Sequence, residues 1–252
     1  MKTINVVMDY LIGGALVGLE RIAFKLPQYN WKFTTEVLKG ADIVLYMNNH
    51  RHYEKAKQLN IKHIIQRKTG TRSLPIPEPD DLKAVICGSK ISYDNSKHDN
   101  KILIYNGVDL EYISSIEPKK DVDLLIAESR IGIGQQIHRG CEFAIENKRH
   151  LTILGSGKGL NENTYDIWRK RYSQPNWVGR VNPDEALSYI KGCNSIIVSN
   201  PAHGVANQII EALMMNKEII TLCNGLEIPP KDQLDINITA EKYKKLIDEI
   251  LA

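Results

Sequence analysis

The stretch SIIVSNPAHGVANQIIEALMMNKEIIT, running from Ser195 to Thr221, decides how the chain is read. It opens on an apolar run at 195–199, passes through a Pro/Gly loop and a helical segment, and closes on a second apolar run at 218–222. A strand, a loop and a helix in that order turn backbone N–H groups and the positive helix end toward an anion, here around Gly204, Val205 and Ala206. Glu211 places a carboxylate about two turns further along, within reach of a ribose hydroxyl. Together these features suit a nucleotide diphosphate attached to a sugar.

Outward from that stretch, short apolar runs alternate with helical segments, the signature of a parallel-sheet α/β architecture. Back as far as Lys120 the pattern predicts strands at 122–127, 150–154 and 176–178, with helices near 136–148, 161–173, 184–191 and 205–215. The helix at 184 has a marked start: Asn182 as cap, Pro183 at the first helical position, then Asp184 and Glu185. An earlier set has strands at 3–9, 41–47, 62–66 and 83–87, helices at 15–26 and 50–59, and a polar, proline-bearing loop at 71–81. Residues 106–120 are turn-rich and read as a linker. The expected organisation is two Rossmann-like domains, 1–106 and 107–238, facing each other across a cleft. An amphipathic helix at 239–252 follows, with Tyr243, Leu246, Ile247, Ile250 and Leu251 on one face.

Of the 252 residues 42% are hydrophobic and 25% charged, a globular composition with enough apolar material for real cores. No run approaches the ~20 apolar residues of a membrane span. The N-terminus goes straight into a strand-like run, without the basic-then-apolar order of a signal peptide. Cys87, Cys141, Cys193 and Cys223 stand apart, with no C-x-x-C spacing, so neither zinc nor a disulfide framework is suggested. The expected location is the cytoplasm, with peripheral contact at the inner face of a membrane left open. The net charge of +3 hides an asymmetry: residues 1–110 hold 16 Lys/Arg against 11 Asp/Glu, residues 111–252 hold 17 against 19. A basic first half suits an anionic acceptor, a lipid headgroup layer or nucleic acid, and a solvated face of scattered lysines explains it equally simply.

Five segments stand in a telling order: KILIYNGVD (101–109), LIAESR (125–130), LTILGSG (151–157), NWVGRV (176–181) followed by DEAL (184–187), and the 195–221 stretch. Over residues 101–225 the chain resembles the GT-B glycosyltransferases, above all the retaining family 4, which is glycogen synthase-like. The resemblance implies a donor site. Arg130 and Arg139 would hold the diphosphate, Gly155 and Gly157 would form the strand–turn, and Arg180 and Val181 would lie near the base. Gly204, Val205, Ala206 and Asn207 would supply the helix-start amides, and Glu211 the ribose contact. Glu211 matches the second acid of the family's E-x7-E motif, while His203 stands where the first acid is usual. His203, with Gly14 of the Gly13-Gly14 turn, is therefore the expected pair at the reacting sugar. The terminal helix is expected to cross back onto the first domain, which is shorter than is usual in the family. After His63-Ile-Ile-Gln66, where the family often has a histidine, the chain reads Arg67-Lys68, leaving His50 or His52 as candidates for that place.

The activity so implied is sugar transfer from a nucleotide diphosphate sugar, with retention and with no metal or other cofactor. The acceptor is left open: anionic, lipid-linked or polysaccharide, with nucleic acid less favoured. The alternatives are a catalytically silent nucleotide-sugar-binding protein and a GT-B sugar-nucleotide epimerase. Two lookalike motifs fail. Gly155-Ser-Gly-Lys-Gly159 departs twice from a P-loop, and Asp121-Val-Asp123 opens an apolar strand, where alternation explains it better than a metal.

Overall fold

The computed structural model describes residues 1–9, 14–47, 49–68, 77–131, 136–157, 162–199, 206–224 and 226–252. In chain order its elements begin with β1 (Thr3–Val7), α1 (Gly14–Lys25), β2 (Asn30–Thr34), β3 (Ile43–Tyr46), α2 (His50–Gln58), β4 (His63–Lys68), β5 (Ala84–Cys87), α3 (Lys90–Asn95) and β6 (Lys101–Leu103). They continue with α4 (Leu110–Ser114), β7 (Leu124–Arg130), α5 (Ile137–Glu146), β8 (Leu151–Ser156), α6 (Glu162–Arg171), β9 (Asn176–Gly179), α7 (Pro183–Gly192), β10 (Ser195–Val198), α8 (Asn207–Met214), β11 (Glu218–Thr221) and α9 (Ile236–Leu251). They form two compact units, Met1–Asp109 with Glu227–Ala252, and Leu110–Leu226.

The first unit is a parallel sheet in the order β2-β1-β3-β4-β5-β6. Two of its inner strands, β3 (IVLY) and β5 (AVIC), are apolar from end to end because both faces are covered, and every residue of the two is buried. The edge strand β2 reads Asn-Trp-Lys-Phe-Thr, half-buried, and lacks the continuous apolar run that betrays an inner strand. It is pinned by the buried Asn5, whose side-chain N–H reaches Lys32 O at 3.3 Å and Thr34 Oγ1 at 2.7 Å, and whose oxygen accepts from Leu38 N at 2.8 Å.

One core of this unit joins Leu19 and Ile22 of α1 to Ile236, Ala240, Tyr243, Leu246 and Ile247 of α9. Each large side chain so buried stabilises by roughly 1.5–3 kcal/mol before entropy is counted. The chain rejoins the first unit at Glu227, so 227–238 do not go with the second domain, as the 107–238 boundary had it. The cause is local. The Glu227 carboxylate accepts from Lys90 N at 2.7 Å, Ile91 N at 3.3 Å and Tyr105 Oη at 2.7 Å, capping α3. Val108 then bridges to Asp235, and a Cβ on Gly107 would sit 2.6 Å from Ile236 Cα.

The second unit is a parallel sheet ordered β11-β10-β7-β8-β9. The expected linker at 106–120 is more ordered than a turn-rich sequence suggests. It carries α4, whose last carbonyls at Ile113 and Ser114, with that of Ile116 just beyond the helix, accept from Lys191 Nζ at 3.1, 2.9 and 2.6 Å. Asp123 of the Asp121-Val-Asp123 triplet takes a forked pair of bonds from Arg149, at 3.1 and 2.6 Å, and one from Asn194 at 3.2 Å. Those bonds hold its carboxyl below the usual range and tie it into the packing at the start of the sheet.

Candidate functional site

In an open parallel sheet, ligands bind beyond the carboxyl ends of the strands, where the strand order reverses. The second sheet reverses between β7 and β10: the chain runs outward through β8 and β9, then returns to β10 on the other side. β10 pairs with β7 at Ser195–Leu124 and Ile196–Leu125, and β7 runs on to Arg130 beside β8.

Five of the residues singled out in the sequence fall along this edge. Arg130 ends β7, Gly155 lies in the last turn-ward part of β8 with Gly157 just beyond it, and Arg180 and Val181 follow β9. Arg180 is exposed; Val181 is half-buried and packs against the core cluster that includes Leu154 and Tyr189. From β10 to β9 is three strand spacings, about 14 Å, room for sugar, diphosphate and base side by side.

α8 begins at Asn207, with Ala206 in the cap position and no side-chain cap on its first turn. An alanine cap leaves the orphan N–H groups of that turn to another acceptor. Glu211, one turn in, is 6% exposed and flanked by the buried Ile210 and Ala212. His203, Gly204 and Val205 lie outside the described residues, as does Gly13; Gly14 opens α1 in the first unit.

Arg139 sits in the first turn of α5 and donates from Nη1 to the Leu222 carbonyl at 3.0 Å, past the end of β11. Gly140 beside it is a packing glycine, since a Cβ there would meet Ile126 Cδ1 at 2.4 Å. Gly155 has φ +123°, and its absent Cβ would lie 2.1 Å from the Glu128 carbonyl oxygen. Its glycine character thus serves the close approach of β8 to β7 and sets the floor of the site.

Glu128 was not picked out from the sequence. It lies two residues before the end of β7, and burial pushes its carboxyl up to about 8. Near neutral pH it is largely protonated, which spares an anionic ligand a fixed negative charge. The linkage has a definite sign. Between the ordinary value of 4.5 and about 8, the folded protein keeps a proton that the unfolded chain has lost. Stability is therefore fullest below 4.5 and declines as pH rises through that window. Glu128→Gln is expected to match the parent at about pH 5 and to exceed it at about pH 9 by on the order of 2 kcal/mol, read by denaturant unfolding.

The first sheet has its own reversal, between β1 and β3. Just beyond those strands Asp9 Oδ1 accepts from Asn49 Nδ2 at 2.5 Å and lies 3.1 Å from His52 Nε2. Asn49 also caps α2, accepting from Arg51 N at 3.0 Å. Of the two histidines proposed in the sequence, His52 is the one held at this point, while His50 Nε2 bonds Glu54 at 3.0 Å. Asp9 and Glu128 share a signature that reveals both: an acid closing an apolar strand. Arg67 and Lys68, standing where a histidine was looked for, are still inside β4. Arg67 is fully buried, bonded to Asn106 and set 5.8 Å from the Tyr243 ring; Lys68 pairs with Glu78.

No family model matches the chain. An uncharacterised glycosyltransferase of Methanocaldococcus jannaschii is 23% identical over 158 residues, 56% of this chain and 41% of that protein. The chain thus spans less than half the length of that curated relative. Solved structures align over nearly its whole length. Anabaena HepE with UDP-glucose gives a TM-score of 0.69 at 13% identity, covering 100% of this chain and 92% of HepE. AviGT4, a glycosyltransferase involved in avilamycin A biosynthesis, gives 0.66 at 12% identity, covering 99% and 98%.

The fold is GT-B.

A UDP-GlcNAc 2-epimerase from Neisseria meningitidis shares it, with a TM-score of 0.57 at 14% identity over 100% of this chain and 93% of the epimerase. The GT-B architecture accounts for both sheets of this chain. Among the described residues no helix is long and apolar enough to cross a membrane.

Proposed function

We propose that the chain is a glycosyltransferase that takes a sugar from a nucleotide diphosphate sugar bound at the carboxyl edge of the second sheet. One observation carries this reading. The strand ends at Arg130, Gly157 and Arg180 and the alanine-capped start of α8 line one edge, with the sheet reversal in its middle. In the reaction the bond from the anomeric carbon to the diphosphate breaks, its electron pair leaving with phosphate oxygen, and the acceptor oxygen bonds to that carbon. The growing negative charge falls to the first-turn amides of α8 with Arg130 and Arg139, electrostatic stabilisation set in place beforehand and needing no metal. Glu211 anchors the ribose, Arg180 and Val181 flank the base, and His203 with Gly14 positions the sugar. Retention is the stereochemical course, and the acceptor is an anionic one, either lipid-linked or a polysaccharide, the lipid-linked form being reached by peripheral contact with a membrane.

The likeness to a 2-epimerase favours one second reading, isomerisation of the bound nucleotide sugar. Incubation with UDP-glucose and UDP-GlcNAc, followed by chromatography and mass spectrometry, separates the two. A transferase releases UDP and adds a sugar to an acceptor; an epimerase returns an isomeric UDP-sugar with no acceptor present. Neither product, together with no binding of any nucleotide sugar, removes the donor site.

A further inference from the structure

We propose that Arg67 and Tyr243 form an enclosed receptor for a small monovalent anion, of the size of chloride or formate, inside the first unit. The receptor is independent of the donor site in the second unit and of any transferase activity.

Arg67 is among the largest fully buried side chains of the chain, 1% exposed. It stands on β4 in register with Ile86 of β5, and Ile65, on the same face two residues earlier, belongs to the core shared by α1 and α9. A guanidinium stays charged in a protein interior. A charge in apolar packing is strongly unfavourable unless a counter-charge and hydrogen bonds meet it. Arg67 has one such bond, from Nη2 to the Asn106 side-chain oxygen, and that acceptor is neutral. Nε and Nη1 are buried donors without a partner.

The surroundings supply more donors and no acid. The Tyr243 ring lies 5.8 Å from Cζ of Arg67, and the Tyr243 hydroxyl is itself buried without a partner. Among the described residues, the fully buried side chains of the first unit include no carboxylate. Glu78 and Asp109, whose side chains are mostly buried, are engaged by Lys68 and Lys25. Water would satisfy the donors and leave the charge unmatched, whereas an anion answers both. The unpartnered nitrogens are closed off from solvent, so the ion is small and enters by local opening of the unit.

The test compares the full chain with Arg67→Met and Tyr243→Phe in the sodium salts of gluconate, chloride and formate, at one ionic strength and one pH. Gluconate is too large for an enclosed site and serves as the reference. In the parent, chloride or formate at about ten times its dissociation constant should raise the thermal unfolding midpoint by about 4 °C over gluconate. The same ion should shift the Arg67 Nε–H signal in nitrogen-15 NMR, and the shift should saturate. Tyr243→Phe, which loses only the hydroxyl, should bind that ion about tenfold more weakly. Arg67→Met replaces the charge with an apolar chain of similar length, and should unfold at one temperature in all three salts. Which ion binds more tightly tells a spherical occupant from a planar carboxylate. A rise in midpoint that is equal in parent and both variants is a general salt effect and overturns the receptor. So does a parent that responds to neither ion, which leaves the donors to water. If Arg67→Met fails to fold, the NMR titration of the parent against Tyr243→Phe decides, and equal affinities in the two overturn the receptor.

Discussion

Glu211→Ala should weaken binding of the nucleotide diphosphate sugar by about ten- to a hundredfold, the range expected when a charge-assisted hydrogen bond of about 1.5–3 kcal/mol is lost. The size follows from where the carboxylate stands. Glu211 is 6% exposed, one turn inside α8, with Ile209, Ile210 and Ala212 buried around it. A carboxylate is kept in such a place only with its oxygens bonded. Because alanine also empties buried space, Glu211→Gln is the sharper variant. It keeps the volume and one acceptor oxygen, and should fold as the parent does while losing about tenfold in donor affinity. Calorimetry on the pair reads both values. Parent-like affinity in both variants would remove the ribose contact.

The second large effect is structural. Gly155→Val should destabilise the second unit by about 3–5 kcal/mol and lower its unfolding midpoint by at least about 10 °C. Two costs add. At φ +123° a β-branched residue is strained, and the new Cβ would press on the Glu128 carbonyl from 2.1 Å, against backbone that has no rotamer to escape into. β8 and β7 would have to part at the site, so donor binding should fall with stability. Gly155→Ala is expected to show the same direction with a smaller loss. A valine variant unfolding with the parent's midpoint would contradict this account of the glycine.

Most of the second unit was readable because its inner strands are continuous apolar runs and its helices carry their own punctuation. β10, α8 and β11 fall within the 195–221 stretch that predicts them, and Asn182 caps α7 as its sequence suggests, accepting from Glu185 N at 2.8 Å. What escaped the reading shares a physical cause. β2 and β6 are edge strands, half-buried, and β6 has three residues, so neither shows a long apolar run. α3 and α4 have six and five residues, too few for helical periodicity to register.

The chain's return to the first unit was misplaced because Glu227 caps α3 across 137 residues, a contact no local pattern announces. In the site, the glycines and arginines were visible as residue types. The roles of Gly155 in strand packing and of Glu128 as a protonated acid appear only once β7 and β8 are adjacent. Asp9 and His52, 43 residues apart, meet for the same reason.

The central claim is that the carboxyl edge of the second sheet holds the donor. Hydrogen–deuterium exchange of the full chain, with and without UDP-glucose, tests it most directly. The account predicts slowed exchange at the start of α8, from Asn207 to Glu211, and at the ends of β7 and β8. Slowed exchange confined to the first unit, or no change anywhere at saturating nucleotide sugar, would contradict it.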